Sequence, residues 1–200
     1  MLSYLALGDS YTIGEQVPLA ESFPYQTLQL LRSGGLEFTA PEIIAKTGWT
    51  TGELSAAIGD IKFLPLYNLV TLLIGVNNQY RGRSADEFAG EFEALLKIAI
   101  DFAGGKNKNV FVLSIPDWGV TAFAEGRDLE KIAFEIDAYN RLCKNVADKY
   151  QCIFIDITAS QRADSGNAEM LAPDGLHPSG KEYAKWAKRL ADAVTLHRFS

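Results

Sequence analysis

Five strand-length, largely apolar runs divide the chain: Tyr4–Leu7, Glu42–Ala45, Leu69–Ile74, Val110–Ile115 and Ile153–Ile157. Runs such as Leu69-Val-Thr-Leu-Leu-Ile74 show no alternation, which suits parallel strands covered on both faces. Helical stretches separate them. Ser84 and Glu87 have capping-box spacing and open a segment with Phe88, Phe92, Leu95 and Ala99 on one face, ended by Gly104-Gly105. Thr50 with Glu53, and Ser179 with Glu182, repeat that start signal. From Asp128 onward Ile132, Ile136, Tyr139, Cys143 and Val146 recur at helical spacing, and Tyr183, Trp186, Leu190 and Val194 do so in the last segment. Each crossover between parallel strands lays a helix on a sheet face, so the pattern predicts an α/β fold, a three-layer α/β/α sandwich around a five-stranded parallel sheet. No internal repeat, low-complexity stretch or linker interrupts it, and residues 1–200 are read as a single domain.

With 200 residues, 48% of them hydrophobic, the chain can build a core without disulfides or structural metal. Nineteen Lys and Arg against 25 Asp and Glu leave a net charge of −6, and no basic run is placed to neutralise a row of phosphates. Nucleic acid is therefore not an expected partner. Residues 1–8 carry neither a positive n-region nor a long apolar core, and no later segment approaches a membrane span, so membrane insertion is not expected and a cytoplasmic setting is. Cys143 and Cys152 lie in no CxxC and beside no histidine; packing thiols are expected. Oligomeric state leaves no mark in the sequence.

In open parallel sheets ligands gather at the carboxyl ends of the strands, near the point where strand order reverses. The first strand runs into Gly8-Asp9-Ser10-Tyr11-Thr12-Ile13-Gly14, which places a serine on the first turn beyond a strand. Ser10 by itself reads as a helix cap or turn residue. His177 is one of two histidines and lies in Asp174-Gly175-Leu176-His177-Pro178, after the fifth strand. An aspartate three residues before a histidine, across a glycine turn, can reach Nδ1 and leave Nε2 as a base toward serine. The competing reading is that Asp174 and His177 shape the entry to the last helix, with Pro178 at its start. The other histidine, His197, lies in a polar tail and reads as a surface residue. A serine nucleophile needs an oxyanion hole, and the loops after strands two and three offer the backbone N–H of Gly48 and the side-chain amide of Asn77.

These segments resemble the blocks of the GDSL esterases and lipases, also called SGNH hydrolases. Gly8-Asp9-Ser10 with Gly14 is similar to the first block, Thr47-Gly48 to the second, Gly75-Val76-Asn77 to the third and Asp174-Gly-Leu-His177-Pro to the fifth. The resemblance runs in order from Gly8 to Pro178. It implies a flavodoxin-like strand order, Ser10 as nucleophile, His177 as general base and acid, and Asp174 as its orienting carboxylate. It also implies an oxyanion hole made by Ser10 N–H, Gly48 N–H and the Asn77 amide. One departure stands out: Asn78 occupies the position where the family usually has aspartate.

No GxSxG elbow surrounds Ser10, because Thr12 stands at +2. A flavodoxin-like module would use Ser10-Tyr-Thr12-Ile-Gly14 to hold phosphate but would leave Asp174 and His177 unexplained. A catalytically inactive ester- or sugar-binding protein is a third reading. No metal or cofactor is implied. Trp49, Tyr80, Trp118 and Phe123 follow strands at the active edge and are the candidates for a substrate pocket or for packing beneath the loops. Without a long lid insertion, the expected substrate is a short-chain acyl ester or an acetylated small molecule.

Overall fold

In a computed structural model the described residues are 1–197, and the polar tail from 198 on lies outside them. Five strands, β1 (Tyr4–Asp9), β2 (Glu42–Lys46), β3 (Leu69–Leu73), β4 (Val110–Leu113) and β5 (Ile153–Ile155), form one parallel sheet in the order β2-β1-β3-β4-β5. Leu7 stands opposite Ile44 on one side and Leu72 on the other. The expected α/β sandwich and flavodoxin-like order are what the chain adopts. β1, β3 and β4 are buried along their whole length, which explains their unbroken apolar runs. β2 and β5 lie at the edges and are only partly covered. Boundaries differ by one or two residues: β1 extends through Gly8 and Asp9, while β4 and β5 stop at Leu113 and Ile155.

The principal helices are α1 (Ser10–Ile13), α2 (Phe23–Ser33), α3 (Thr51–Gly59), α4 (Val76–Tyr80), α5 (Ala85–Phe102), α6 (Leu129–Lys149), α7 (Thr158–Ala163) and α8 (Gly180–Leu196). α2 packs against α8, and α5 packs against both α3 and α6, giving a layer on each side of the sheet. Both reciprocal capping boxes expected at Thr50 and Ser84 form, with Glu53 and Glu87 returning to the cap N–H. At Ser179 only half of the motif forms. Its hydroxyl accepts from the Glu182 N–H, but the Glu182 carboxylate is buried and accepts from Trp186 Nε1 at 2.9 Å instead. Pro178 does not begin the last helix: it pairs with Leu171 in an isolated bridge, and α8 starts at Gly180 behind the Ser179 cap. The expected apolar faces of α5, α6 and α8 are all buried, and Cys143 and Cys152 are free thiols within the packed interior. Among the described residues no helix is long and apolar enough to cross a membrane.

Candidate active site

Strand order reverses between β1 and β3, and Ser10 stands at that edge as the first residue of α1. Asp9 caps the helix, its carboxylate accepting from the Tyr11 N–H at 3.1 Å, and Gly14 closes it in the left-handed conformation with its N–H on the Ser10 carbonyl. Gly8 is dictated by contact: a Cβ there would strike the Thr12 hydroxyl and the Leu73 carbonyl. Asp9 is almost wholly buried with few partners, and burial pushes its carboxyl up to about 7.

His177 enters from the opposite side, on the loop between β5 and α8. Its Nδ1 lies 2.6 Å from Asp174 Oδ2, while Asp174 Oδ1 accepts the N–H groups of Leu176 and His177 at 3.0 Å each. Partial burial alone would raise the Asp174 carboxyl, yet the bond to His177 and the two backbone donors outweigh it and hold the group below its ordinary range. The loop is fastened by Ala172 N–H to the His177 carbonyl, Ser179 N–H to Met170 and Phe123 N–H to Gly175. The Tyr11 ring stands 5.4 Å from the imidazole, which is only 7% exposed. A carboxylate on Nδ1 selects the tautomer with a free Nε2. His197 is exposed at the end of α8, as expected.

The loop after β2 and helix α4 after β3 are tied together by hydrogen bonds; Asn77 lines the cavity that Ser10 and His177 share, while Gly48 is not among its lining residues. Gly48 has φ +82°, a conformation a side chain would strain, and its carbonyl accepts from Arg81 Nη2 at 2.7 Å. Arg81 also meets Glu53 at 3.2 Å, and Thr47 donates to Glu15 beyond α1. Asn77 uses one amide hydrogen on the Trp49 carbonyl at 3.0 Å, and the amide carries a second. Asn78 is fully buried: its Oδ1 accepts from the Thr51 N–H at 3.0 Å, and its Nδ2 donates to the Thr51 hydroxyl at 2.7 Å and toward Glu91 at 3.4 Å. Thr51 donates in turn to Glu91. A carboxylate from α5 thus faces position 78, and the neutral amide fits between it and the start of α3.

Ser10, Asn77 and His177 open onto one cavity of about 160 Å³, whose apolar walls include Tyr80, Trp118, Phe123 and Leu176. Of the four aromatic residues expected at the substrate, Trp49 is not among those lining it; its ring packs against the core and its carbonyl serves Asn77. Trp118 is nearly buried, held by Nε1 donating to Gln79 at 2.8 Å, while Gln79 donates to Glu135 at 2.7 Å. Sequence reasoning passed over Tyr11, Leu176, Gln79 and Arg81. For Arg81 a signal existed, since it follows Asn77 by four residues and shares its helix face. Gln79 has no local mark. Among the described residues no group of three or more His, Cys, Asp or Glu is arranged to hold a metal ion.

Solved structures share the fold at low identity. A lipase/acylhydrolase from Enterococcus faecalis is 18% identical with a TM-score of 0.76, covering 97% of this chain and 95% of its own. An acetylxylan esterase from Geobacillus stearothermophilus is 19% identical with a TM-score of 0.74, covering 100% and 95%. A psychrotrophic esterase from Pseudoalteromonas sp. is 14% identical with a TM-score of 0.69, covering 98% of each chain. No curated protein matches the sequence. Residues 6–185 match the GDSL-like lipase/acylhydrolase family, so the chain belongs to that family and is a carboxylic ester hydrolase.

Proposed function

We propose that the chain, acting as one hydrolase domain over residues 1–200, cleaves short-chain acyl or acetyl esters of small molecules through an acyl-enzyme on Ser10. His177 Nε2 takes the hydroxyl proton as Ser10 Oγ attacks the carbonyl carbon, and Asp174 stabilises the imidazolium through Nδ1. The tetrahedral oxyanion receives the N–H groups of Ser10 and Gly48 and the second amide hydrogen of Asn77. As the carbon–oxygen bond to the alcohol breaks, His177 returns the proton to the leaving oxygen. Water then attacks the acyl group with His177 again as base, releasing the acid and restoring Ser10.

The observation that carries this reading is the convergence of Ser10, Asn77 and an Asp174-held His177 on one cavity. The small cavity with apolar walls favours a short acyl group. Cytoplasmic residence belongs to the same proposal, supported by two unpaired buried thiols. The experiment is labelling with an organophosphonate, followed by peptide mapping. Stoichiometric modification at Ser10 is expected, with Ser10→Ala and His177→Ala each losing roughly 10⁴ to 10⁶ in turnover and His197→Ala nearly silent. Labelling elsewhere, or an active Ser10→Ala enzyme, overturns the assignment. Oxyesters, thioesters and acetylated sugars in one assay panel identify the leaving group.

A further inference from the structure

Asp174 grips the His177 side chain at one atom, Nδ1, and a single hydrogen bond leaves the imidazole plane free to swing about that contact. We propose that Tyr11 is a positioning residue for His177, its ring bracing the imidazole so that Nε2 stays turned toward Ser10. The inference rests on the esterase reading of Ser10 and His177.

Tyr11 follows Ser10 directly in α1 and lines the cavity that Ser10 and His177 share. Its ring centroid lies 5.4 Å from that of the imidazole, with the two planes inclined at 54°. Tilted rings at this separation attract each other. Tyr11 is 2% exposed and His177 7%, so little water competes for the contact. A brace must itself be held. The Tyr11 backbone N–H is fixed on the Asp9 carboxylate at 3.1 Å, and its ring also meets the Trp186 ring, 6.2 Å away and inclined at 46°. Trp186 is fully buried in α8, where its Nε1 donates to Glu182 at 2.9 Å. Tyr11 therefore touches both the loop that carries the base and the helix that follows it. The helix of the nucleophile is keyed into the segment of the base by an aromatic row, His177–Tyr11–Trp186, in addition to the bonds within the loop. The phenol hydroxyl is not what this role needs. Burial, with Asp9, Asp174 and Asp117 nearby, pushes the Tyr11 phenol well above its ordinary value, so it holds its proton throughout the working range.

The test compares Tyr11→Leu with Tyr11→Phe in hydrolysis of p-nitrophenyl acetate and in the proton NMR signal of His177 Nδ1–H, which the short bond to Asp174 moves far downfield. Tyr11→Leu should lose about tenfold in kcat with KM within about twofold of wild type, because the base is misplaced while substrate binding is not. Its Nδ1–H signal should broaden or vanish as the imidazole swings. Tyr11→Phe keeps the ring, so most of the kcat and the sharp signal should return. Should Tyr11→Leu fail to fold, Tyr11→Met refills the space without a ring and carries the same expectations. Unchanged kcat in Tyr11→Leu, a loss confined to KM, a Tyr11→Phe enzyme as impaired as Tyr11→Leu, or a lowered kcat with an undisturbed Nδ1–H signal each overturn the positioning role while the esterase reading stands. Undiminished hydrolysis by Ser10→Ala overturns both.

Discussion

The two sides of the candidate active site are built on different length scales. On one, Asp174 and His177 are three residues apart, and a single loop supplies the carboxylate, the imidazole and the N–H groups that hold the carboxylate. On the other, Gly48 comes from the loop after β2 and Asn77 from α4, joined by bonds across the fold: Arg81 to Gly48, Asn77 to Trp49, and Asn78 with Thr51 and Glu91. A local arrangement survives small movements of the sheet because its members move together. The proposed oxyanion side depends on the registry of α3, α4 and α5, so substitutions well away from the reacting atoms should be felt there.

The sharpest break of this contrast lies in the local loop. Asp174→Asn keeps the shape but favours the wrong imidazole tautomer, and kcat should fall by about 10⁴ while the melting temperature changes little. A loss under tenfold in initial-rate assays would show that His177 is oriented by something else. On the distributed side Asn77→Ala should cost roughly 10² to 10³ in kcat with KM nearly constant. Arg81→Ala should cost about tenfold in kcat, because Arg81 only positions Gly48, and added guanidinium should recover part of it. If Arg81→Ala changed KM alone, its role would be binding and not loop placement.

Asn78→Asp offers a smaller test, in which the carboxylate usual in the family is restored. Here it would replace a donor by an acceptor facing the Thr51 hydroxyl and Glu91, so stability should drop by roughly 1 to 2 kcal/mol in denaturant unfolding. Adding Glu91→Gln should recover most of that loss, and strict additivity of the two substitutions would refute the coupling.

Asp9 sets the smallest effect. Its carboxyl titrates near 7 in the fold against 3.8 in its ordinary setting, so the native state holds a proton that the unfolded chain has released. Stability from this group is full below about pH 4 and is lost as pH rises through 7. Asp9→Asn keeps an acceptor for Tyr11 and removes the buried charge. Its melting temperature should exceed wild type by roughly 2 to 6 °C at pH 8, a gap that closes by pH 4. A pH-independent gap would assign the effect to packing.

How much could be read in advance follows the same division. The Ser84 and Thr50 capping boxes form within four consecutive residues, and the apolar faces of α5 and α6 obey a single helical period, so sequence carried them. The Asp174–His177 pair was legible for the same reason. α2 was passed over although Pro24 marks its first turn, and its buried face of Phe23, Thr27, Leu28 and Leu31 gains meaning only against α8.

By itself, then, the sequence determined the kind of elements, the parallel sheet and the residues that can do chemistry. Periodicity, caps and short turns are properties of neighbours along the chain. Tertiary structure alone decided that Trp49 serves the core and lends its carbonyl to Asn77, that Glu91 meets Asn78, and that Arg81 grips the Gly48 loop. These contacts join residues 13 to 33 positions apart, and no local pattern encodes which distant hydrogen-bonding group a buried amide or a guanidinium will meet.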